Sequence, residues 1–205
     1  MPTLPRGGAG RWGNVWLDWI IVLGVSFCSL ELVVRDPELF LIPPPNPCVF
    51  SPDRVHRYSL IHRMSKGGRR IAWIGLNPST ADESQLDPTL RRIRGFSERE
   101  GFNEFVMLNV FGLRSTDPAG LLEHPDPIGP GNFEIIAKAI ENCPVVVAAW
   151  GGGKYSDHCE AASRVRVVLQ KVSSKVVCLG LTALGFPRHP LYVHGTTEFQ
   201  AFPCH

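Results

Sequence analysis

Arg70-Ile-Ala-Trp-Ile-Gly-Leu-Asn-Pro-Ser-Thr-Ala-Asp82 decides how this chain of 205 residues is read. Its first half, Ile71 to Leu76, is uncharged, of strand length, and rich in β-branched and aromatic residues. Such a run suits a strand buried on both faces. The second half turns polar at once with Asn77, Ser79, Thr80 and Asp82. Pro78 ends the ladder because it has no N–H to donate. Open α/β sheets place their ligands where a buried strand empties into such a turn. An ordinary Asn-Pro turn is the competing reading, but it needs fewer polar residues than the four present here.

Downstream, the pattern repeats. Glu104 to Phe111, Val145 to Trp150 and Val176 to Leu179 are apolar runs of strand character. Helical patterns separate them. Asp87 is a candidate N-cap with Pro88 at the first helical position, Leu90, Ile93 and Phe96 inward, and Gly101 as the stop. Asn132 to Asn142 and Ser156 to Val172 carry apolar residues at 3- and 4-residue spacing. Upstream, Cys48 to Ser51 and Arg57 to Arg63 read as a hairpin. The order is a hairpin followed by β-α-β-α-β-α-β. That order predicts an α/β fold, a three-layer α/β/α sandwich with a mostly parallel sheet of about four core strands plus the hairpin. The four strand ends then point their loops to one edge.

Those loops hold the candidate site residues. Asn109 has apolar neighbours on both sides, and a buried amide must be hydrogen-bonded; it either ties loops together or contacts a ligand. Arg114 follows it. After the third strand, Gly151-Gly152-Gly153-Lys154 lacks the spacing of a phosphate loop, so a P-loop is not expected. Glycines there let a backbone approach a planar ligand, and Trp150 is either a core residue or a stacking face. In the last loop His189 stands between Arg188 and Pro190, with Tyr192 close by. Arg91, Arg92, Arg94 and Arg99 form either a solvated helix face or a phosphate-contacting surface.

Composition narrows the classes. Apolar residues make up 44% and charged residues 20%, as in a globular chain. A net charge of +2 argues against a strongly basic nucleic-acid binder while leaving room for a local basic face. The six cysteines form no C-x-x-C pair, which disfavours a zinc knuckle and suits a reducing, cytoplasmic setting. Asp82, Asp87, Asp157 and His158 show no paired ligand spacing, so metal-dependent hydrolysis is a weaker third reading and no metal and no cofactor is expected. Residues 1–47 form a poorly defined extension. Its apolar run Trp19 to Leu30 is too short to span a bilayer, which takes roughly 20 residues. A docked segment, a secretion signal and a non-native start remain alternatives. Ile42-Pro-Pro-Pro-Asn-Pro47 reads as a linker, and a single domain is expected over 48–205.

Several spaced motifs carry a resemblance: Gly75-Leu-Asn-Pro-Ser-Thr-Ala-Asp82, Asp87-Pro-Thr89, Asn109-Val-Phe with Arg114-Ser-Thr-Asp-Pro118, Ala149-Trp-Gly151, and Arg188-His-Pro-Leu-Tyr192. Together they resemble a bacterial and phage family of domains of unknown function. More distantly, the chain resembles the uracil-DNA glycosylase superfamily. That superfamily has Gly-x-Asn/Asp-Pro-Gly after its first core strand and His-Pro-Ser or Asn-Pro-Ser in its final loop. Gly75-Leu-Asn77-Pro78 and His189-Pro190 match these up to their last residue. The resemblance implies that Asn77 positions a water or the base and that His189 donates to the departing base. Ser79 replaces the motif glycine and Leu191 replaces the serine.

Two functions are therefore expected. The first is glycosylase-like hydrolysis of an N-glycosidic bond, on a base in nucleic acid or on a nucleoside. Asn77, Asp82 and His189 would be catalytic, and Pro78, Ser79, Thr80, Asn109, Arg114, Trp150, Gly151, Arg188 and Tyr192 would bind substrate, with Arg91 and Arg92 on phosphate. The alternative is a nucleotide or nucleic-acid binding module without chemistry.

Overall fold

The computed structural model describes residues 48–79, 86–117, 119–152 and 160–204. The extension expected over 1–47 lies outside them. Seven strands form one sheet: β1 Cys48–Phe50, β2 Arg57–Arg63, β3 Arg70–Gly75, β4 Glu104–Asn109, β5 Val145–Ala148, β6 Val176–Cys178 and β7 Gln200–Ala201, in the order β1-β2-β4-β3-β5-β6-β7. Helices α1 Pro88–Arg99, α2 Gly120–Glu123, α3 Asn132–Glu141 and α4 Glu160–Gln170 connect them.

The fold is α/β with a mixed sheet. The pairs β3–β4, β3–β5 and β5–β6 are parallel, whereas β1–β2, β2–β4 and β6–β7 are antiparallel. The antiparallel pairs lie at the two edges, where the hairpin joins β4 and β7 joins β6. The hairpin extends the ladder through β2 onto β4, and the tail adds β7. β7 has two exposed residues and pairs through its backbone, so no hydrophobic pattern announces it.

β3 carries the sheet's middle. Ile71, Ala72, Trp73 and Ile74 are fully buried. Ile71 and Trp73 pack with Leu90, Ile93 and Phe96 of α1, while Ala72 and Ile74 pack with Ile136 and Ile140 of α3 and Val165 and Leu169 of α4. Alternate residues of one strand thus serve two cores, which explains the uninterrupted apolar run. Ile71 and Ile74 each contribute about 1.5–3 kcal/mol by burial. The Trp73 indole N–H donates to Ser97 Oγ at 3.0 Å, and Ser97 Oγ donates to the Ile93 carbonyl at 2.8 Å. That chain fixes α1 against β3.

The sheet's amino end is pinned by Glu104, which pairs with Arg63 at 3.4 Å and with Arg70 on the strands either side. Its carboxyl end stays open for the loops. Asp87 caps α1 as the sequence indicated, its Oδ1 accepting the Leu90 N–H at 2.7 Å. Such a cap is worth about 1 kcal/mol. It also sets the start of α1 at the rim of the open end. No helix among the described residues is long and apolar enough to cross a membrane.

Candidate functional site

A cleft of about 740 Å³ opens at the carboxyl ends of the parallel strands. That is within the range of small-molecule sites. Its floor is Gly75 of β3 with Met107 and Asn109 of β4. Its walls are the loops after β3, β4, β5 and β6 and the first turn of α1.

Asn77 is half-buried in the wall, and its Nδ2 donates to the Ser115 carbonyl at 2.8 Å and the Pro78 carbonyl at 3.2 Å. The amide N–H groups are held by backbone, and Oδ1 has no partner among the described residues. The same two loops are laced by backbone bonds: Val110 N–H to the Gly75 carbonyl at 2.9 Å, Phe111 N–H to Leu76 at 2.8 Å, and Ser115 N–H to Pro78 at 3.0 Å. Asn77 therefore sits on a stiff support.

His189 lines the same cleft from the last loop. It caps the short 3₁₀ turn Pro190–Tyr192, its Nδ1 accepting the Leu191 N–H at 3.3 Å. An accepting Nδ1 bears no proton, so this contact assigns the neutral ring's proton to Nε2. Burial holds the imidazole below its ordinary value, with Asp87 pulling weakly the other way. At neutral pH the ring is uncharged and offers one N–H. Gly151 closes in behind it. Its φ is +78°, and a Cβ there would stand 3.3 Å from the His189 Cβ.

Asn109 is 1% exposed, and neither its Oδ1 nor its Nδ2 has a hydrogen-bond partner among the described residues. The loop-tying role falls instead to Asn132, whose Nδ2 donates to the Asn109 and Val110 carbonyls at 3.1 Å each. A buried amide left this way costs about 1–3 kcal/mol; it lies in the cleft floor with both amide atoms closed to solvent, so a ligand meets them only when the floor moves.

Ser79 and Asp87 meet at the mouth, Ser79 Oγ donating to Asp87 Oδ2 at 3.0 Å. Arg188 is exposed on the opposite wall, its Nε on the Leu181 carbonyl at 3.1 Å. Tyr192 stands 80% exposed on the rim, its ring 5.6 Å from that of His189.

Other expected site residues lie elsewhere or do other work. Pro78 is buried and is not part of the cleft lining. Arg114 points away: its Nη1 donates to the Arg54 carbonyl at 3.3 Å and its guanidinium lies 5.4 Å over Phe50. Arg91 is exposed on α1 outside the cleft. Arg92 donates through Nε to the Pro190 carbonyl at 3.3 Å and through Nη2 to the Val193 carbonyl, so its guanidinium holds the His189 loop. Arg99 continues this with the Gly195 and Thr197 carbonyls at 2.7 and 2.8 Å. Trp150 lines the cleft but is only 2% exposed, edge-on to Phe202 with its N–H unpartnered among the described residues. Little of its face is open for stacking. Thr80 and Asp82 lie outside the described residues.

Arg57, Asp87, Thr89, Ser115, Thr116 and Thr182 also line the cleft. Sequence reasoning missed them as site residues. Arg57 opens β2 and is 4% exposed, and nothing in the sequence set it apart from Arg63 at the other end of that strand. Among the described residues no group of three His, Cys, Asp or Glu side chains could hold a metal ion. Cys143, Cys178 and Cys204 are buried thiols pushed up by desolvation, unsuited to act as nucleophiles.

No curated protein and no solved structure matches the chain. Residues 57–191, well over half of it and spanning the cleft, match a family described as a protein of unknown function, DUF1643, and the chain belongs to that family.

Proposed function

We propose that the cleft binds a nucleobase and hydrolyses its N-glycosidic bond, in the manner of the uracil-DNA glycosylase superfamily and on a three-layer α/β/α sandwich of that kind. One observation carries the reading: a single cleft holds the Asn109 amide, unpartnered among the described residues, the Oδ1 of Asn77 and the neutral imidazole N–H of His189. An amide presents a donor beside an acceptor. Its complement is the edge of a heterocycle that presents an acceptor beside a donor. A nucleobase has such an edge, and burial makes the match selective, because a ligand lacking it leaves the amide unpaired.

In the proposed reaction the C1′–N bond breaks and its electron pair leaves with the base. The Nε2–H of His189 donates to the base where negative charge develops. A water held by Asn77 Oδ1 bonds through its oxygen to C1′. The base nitrogen finally takes up a proton from that water, giving free base and sugar hydroxyl, and His189 ends unchanged. A neutral donor suits this step because its proton stays available across neutral pH. Asp87 is the carboxylate that the described residues bring to the cleft, and its charge favours the cationic sugar of the transition state.

Ser79 and Leu191, which stand where the superfamily motifs have glycine and serine, favour a second reading in which the same cleft binds a base without cleaving it. The experiment is base release, followed chromatographically, from a panel of nucleosides and of oligonucleotides with deaminated bases. The hydrolytic reading expects free base with the wild type and a loss of about 100-fold or more in His189→Ala. Binding with no product from any substrate supports the second reading.

A further inference from the structure

The loop after β6 holds one arginine still against the cleft. It doubles back on itself: Thr182 N–H donates to the Phe186 carbonyl at 2.8 Å and Arg188 N–H to the Gly180 carbonyl at 2.9 Å, on either side of a Leu181–Pro187 bridge. In such a pairing alternate residues share a face. Thr182, Phe186 and Arg188 share one and line the cleft, whereas Leu181, on the other, packs against the core of Ala72 and Ile74. The Arg188 stem lies along Gly180, where a Cβ would stand 3.5 Å from Arg188 Cδ, and its Nε donates to the Leu181 carbonyl at 3.1 Å. Nη1 and Nη2 have no partner among the described residues. Thr182 Oγ1 accepts the Phe186 N–H at 3.1 Å, so its own hydrogen remains to donate.

A guanidinium fixed through Nε presents its two Nη groups as a fork, and that fork matches two oxygens of a phosphate. Charge agrees. Among the described residues lining the cleft, Arg57 and Arg188 stand against the one carboxylate of Asp87, which is bonded to the Leu90 N–H and Ser79 Oγ on the other wall. Spacing agrees too. The last loop leans back over β5: a Cβ at Gly152 would stand 3.3 Å from Phe186 Cβ, as one at Gly151 would from His189 Cβ. β5 and β4 flank β3, so they lie two strand spacings apart, roughly 10 Å. That is the order of the span from a base edge through its sugar to a 5′-phosphate. The wall has room for one such group. Arg92 and Arg99 are bound to carbonyls of the last loop, Arg94 pairs with Glu98 at 2.8 Å, and Arg114 turns to the Arg54 carbonyl.

We propose that the ligand of this cleft is a nucleoside monophosphate, its base over the β3–β4 floor and its single phosphate on the Arg188 guanidinium and the Thr182 hydroxyl. The inference rests on the base-binding reading above and extends it. It leaves the roles of Asn77, Asn109 and His189 as described and gives the cleft a second anchor, one that a nucleoside does not use.

Calorimetric titration of the full chain tests it. The probes are uridine, cytidine, adenosine, guanosine and inosine, their 5′-monophosphates, and single-stranded oligonucleotides containing uracil or hypoxanthine, each over a range of salt. The expected result is that one 5′-monophosphate binds about tenfold or more tightly than its nucleoside at low salt. Its log K should fall against log salt with a slope of about −1, as for one phosphate. Arg188→Gln should bring the monophosphate down to the affinity of the nucleoside while the nucleoside binds as before, which loss of a merely structural residue would not do. The gap in the wild type decides by itself if the variant does not fold. Equal binding of a nucleoside and its monophosphate, or equal loss of both in Arg188→Gln, overturns the phosphate anchor and leaves base binding intact. An oligonucleotide that binds more tightly than any monophosphate, with a slope of about −3 or steeper, overturns the mononucleotide in favour of a polynucleotide. Binding of no nucleoside, nucleotide or oligonucleotide overturns both readings.

Discussion

Asn77 donates its side-chain N–H to the Ser115 carbonyl at 2.8 Å, and this joins the loop after β3 to the loop after β4. The same nitrogen reaches the Pro78 carbonyl at 3.2 Å. In Asn77→Asp a carboxylate oxygen would face two carbonyl oxygens. At pH 8 this variant should lose about 1–3 kcal/mol in urea denaturation. Its carboxyl pKa is raised in the folded state, so the deficit should shrink as pH falls and the acid form donates again. A variant as stable as the wild type at pH 8 would show that the Ser115 contact does not order the loop.

Gly75 faces Asn109 across the β3–β4 ladder. A Cβ at 75 would come within 2.5 Å of Met107 Cε and 3.1 Å of Asn109 Oδ1. The methionine end can move; the amide, packed in the floor, moves less. Gly75→Ala should therefore fold with a cost of about 1–3 kcal/mol while binding of the nucleobase that the cleft takes weakens by about tenfold or more. Unchanged affinity would remove the floor from the binding site.

His189 should titrate below its ordinary value of 6.5, because burial disfavours the imidazolium. Between the lowered folded value and 6.5 the unfolded chain binds more protons. This residue's contribution to stability therefore rises with pH through that window, is fully present above it, and is lost as pH falls through the folded pKa. Nitrogen-15 NMR of labelled histidine should show the Nε2–H tautomer at pH 7. A ring protonated on Nδ1 would contradict the proton assignment, and one that titrates above 6.5 would contradict the effect of its burial.

Arg92 and Arg99 hold four carbonyls of the last loop from α1. Hydrogen bonds from a charged donor are worth about 1.5–3 kcal/mol. In Arg92→Ala, amide exchange at Leu191 and Tyr192 should speed up about tenfold or more, with β3 amides unaffected. Equal protection in wild type and variant would mean that the loop is held by other contacts.

The sequence revealed the parts that follow from periodicity and chain order. The alternation of apolar strands and helical segments put the loops of Asn77 and His189 at one end of the sheet, and the cap signal put the start of α1 at Asp87; one cleft receives all three. Roles that depend on partners distant in sequence were hidden. Arg92 and Arg114 look alike as surface cations, yet what each does is decided by which carbonyls lie within reach: those of residues 190 and 193 for one, of residue 54 for the other. Arg57 enters the cleft from a hairpin that precedes the first core strand, a placement set by β2 pairing on β4. Asn109 was legible as a buried amide but not as an unpartnered one, because Asn132, on another element, took the bonds that would have tied its loop.

The unpartnered amide of Asn109 is the direct probe of the whole reading. Its side-chain NH₂ resonances, assigned by comparing selectively ¹⁵N-asparagine-labelled wild type with Asn109→Asp, can be followed while uracil, hypoxanthine, cytosine, adenine and guanine are titrated in turn. The account predicts that one base shifts those resonances downfield at saturation, as a buried N–H gains an acceptor, and that Asn109→Asp loses affinity for that base. A base that binds while the Asn109 resonances stay in place, or binding left intact in Asn109→Asp, would contradict it.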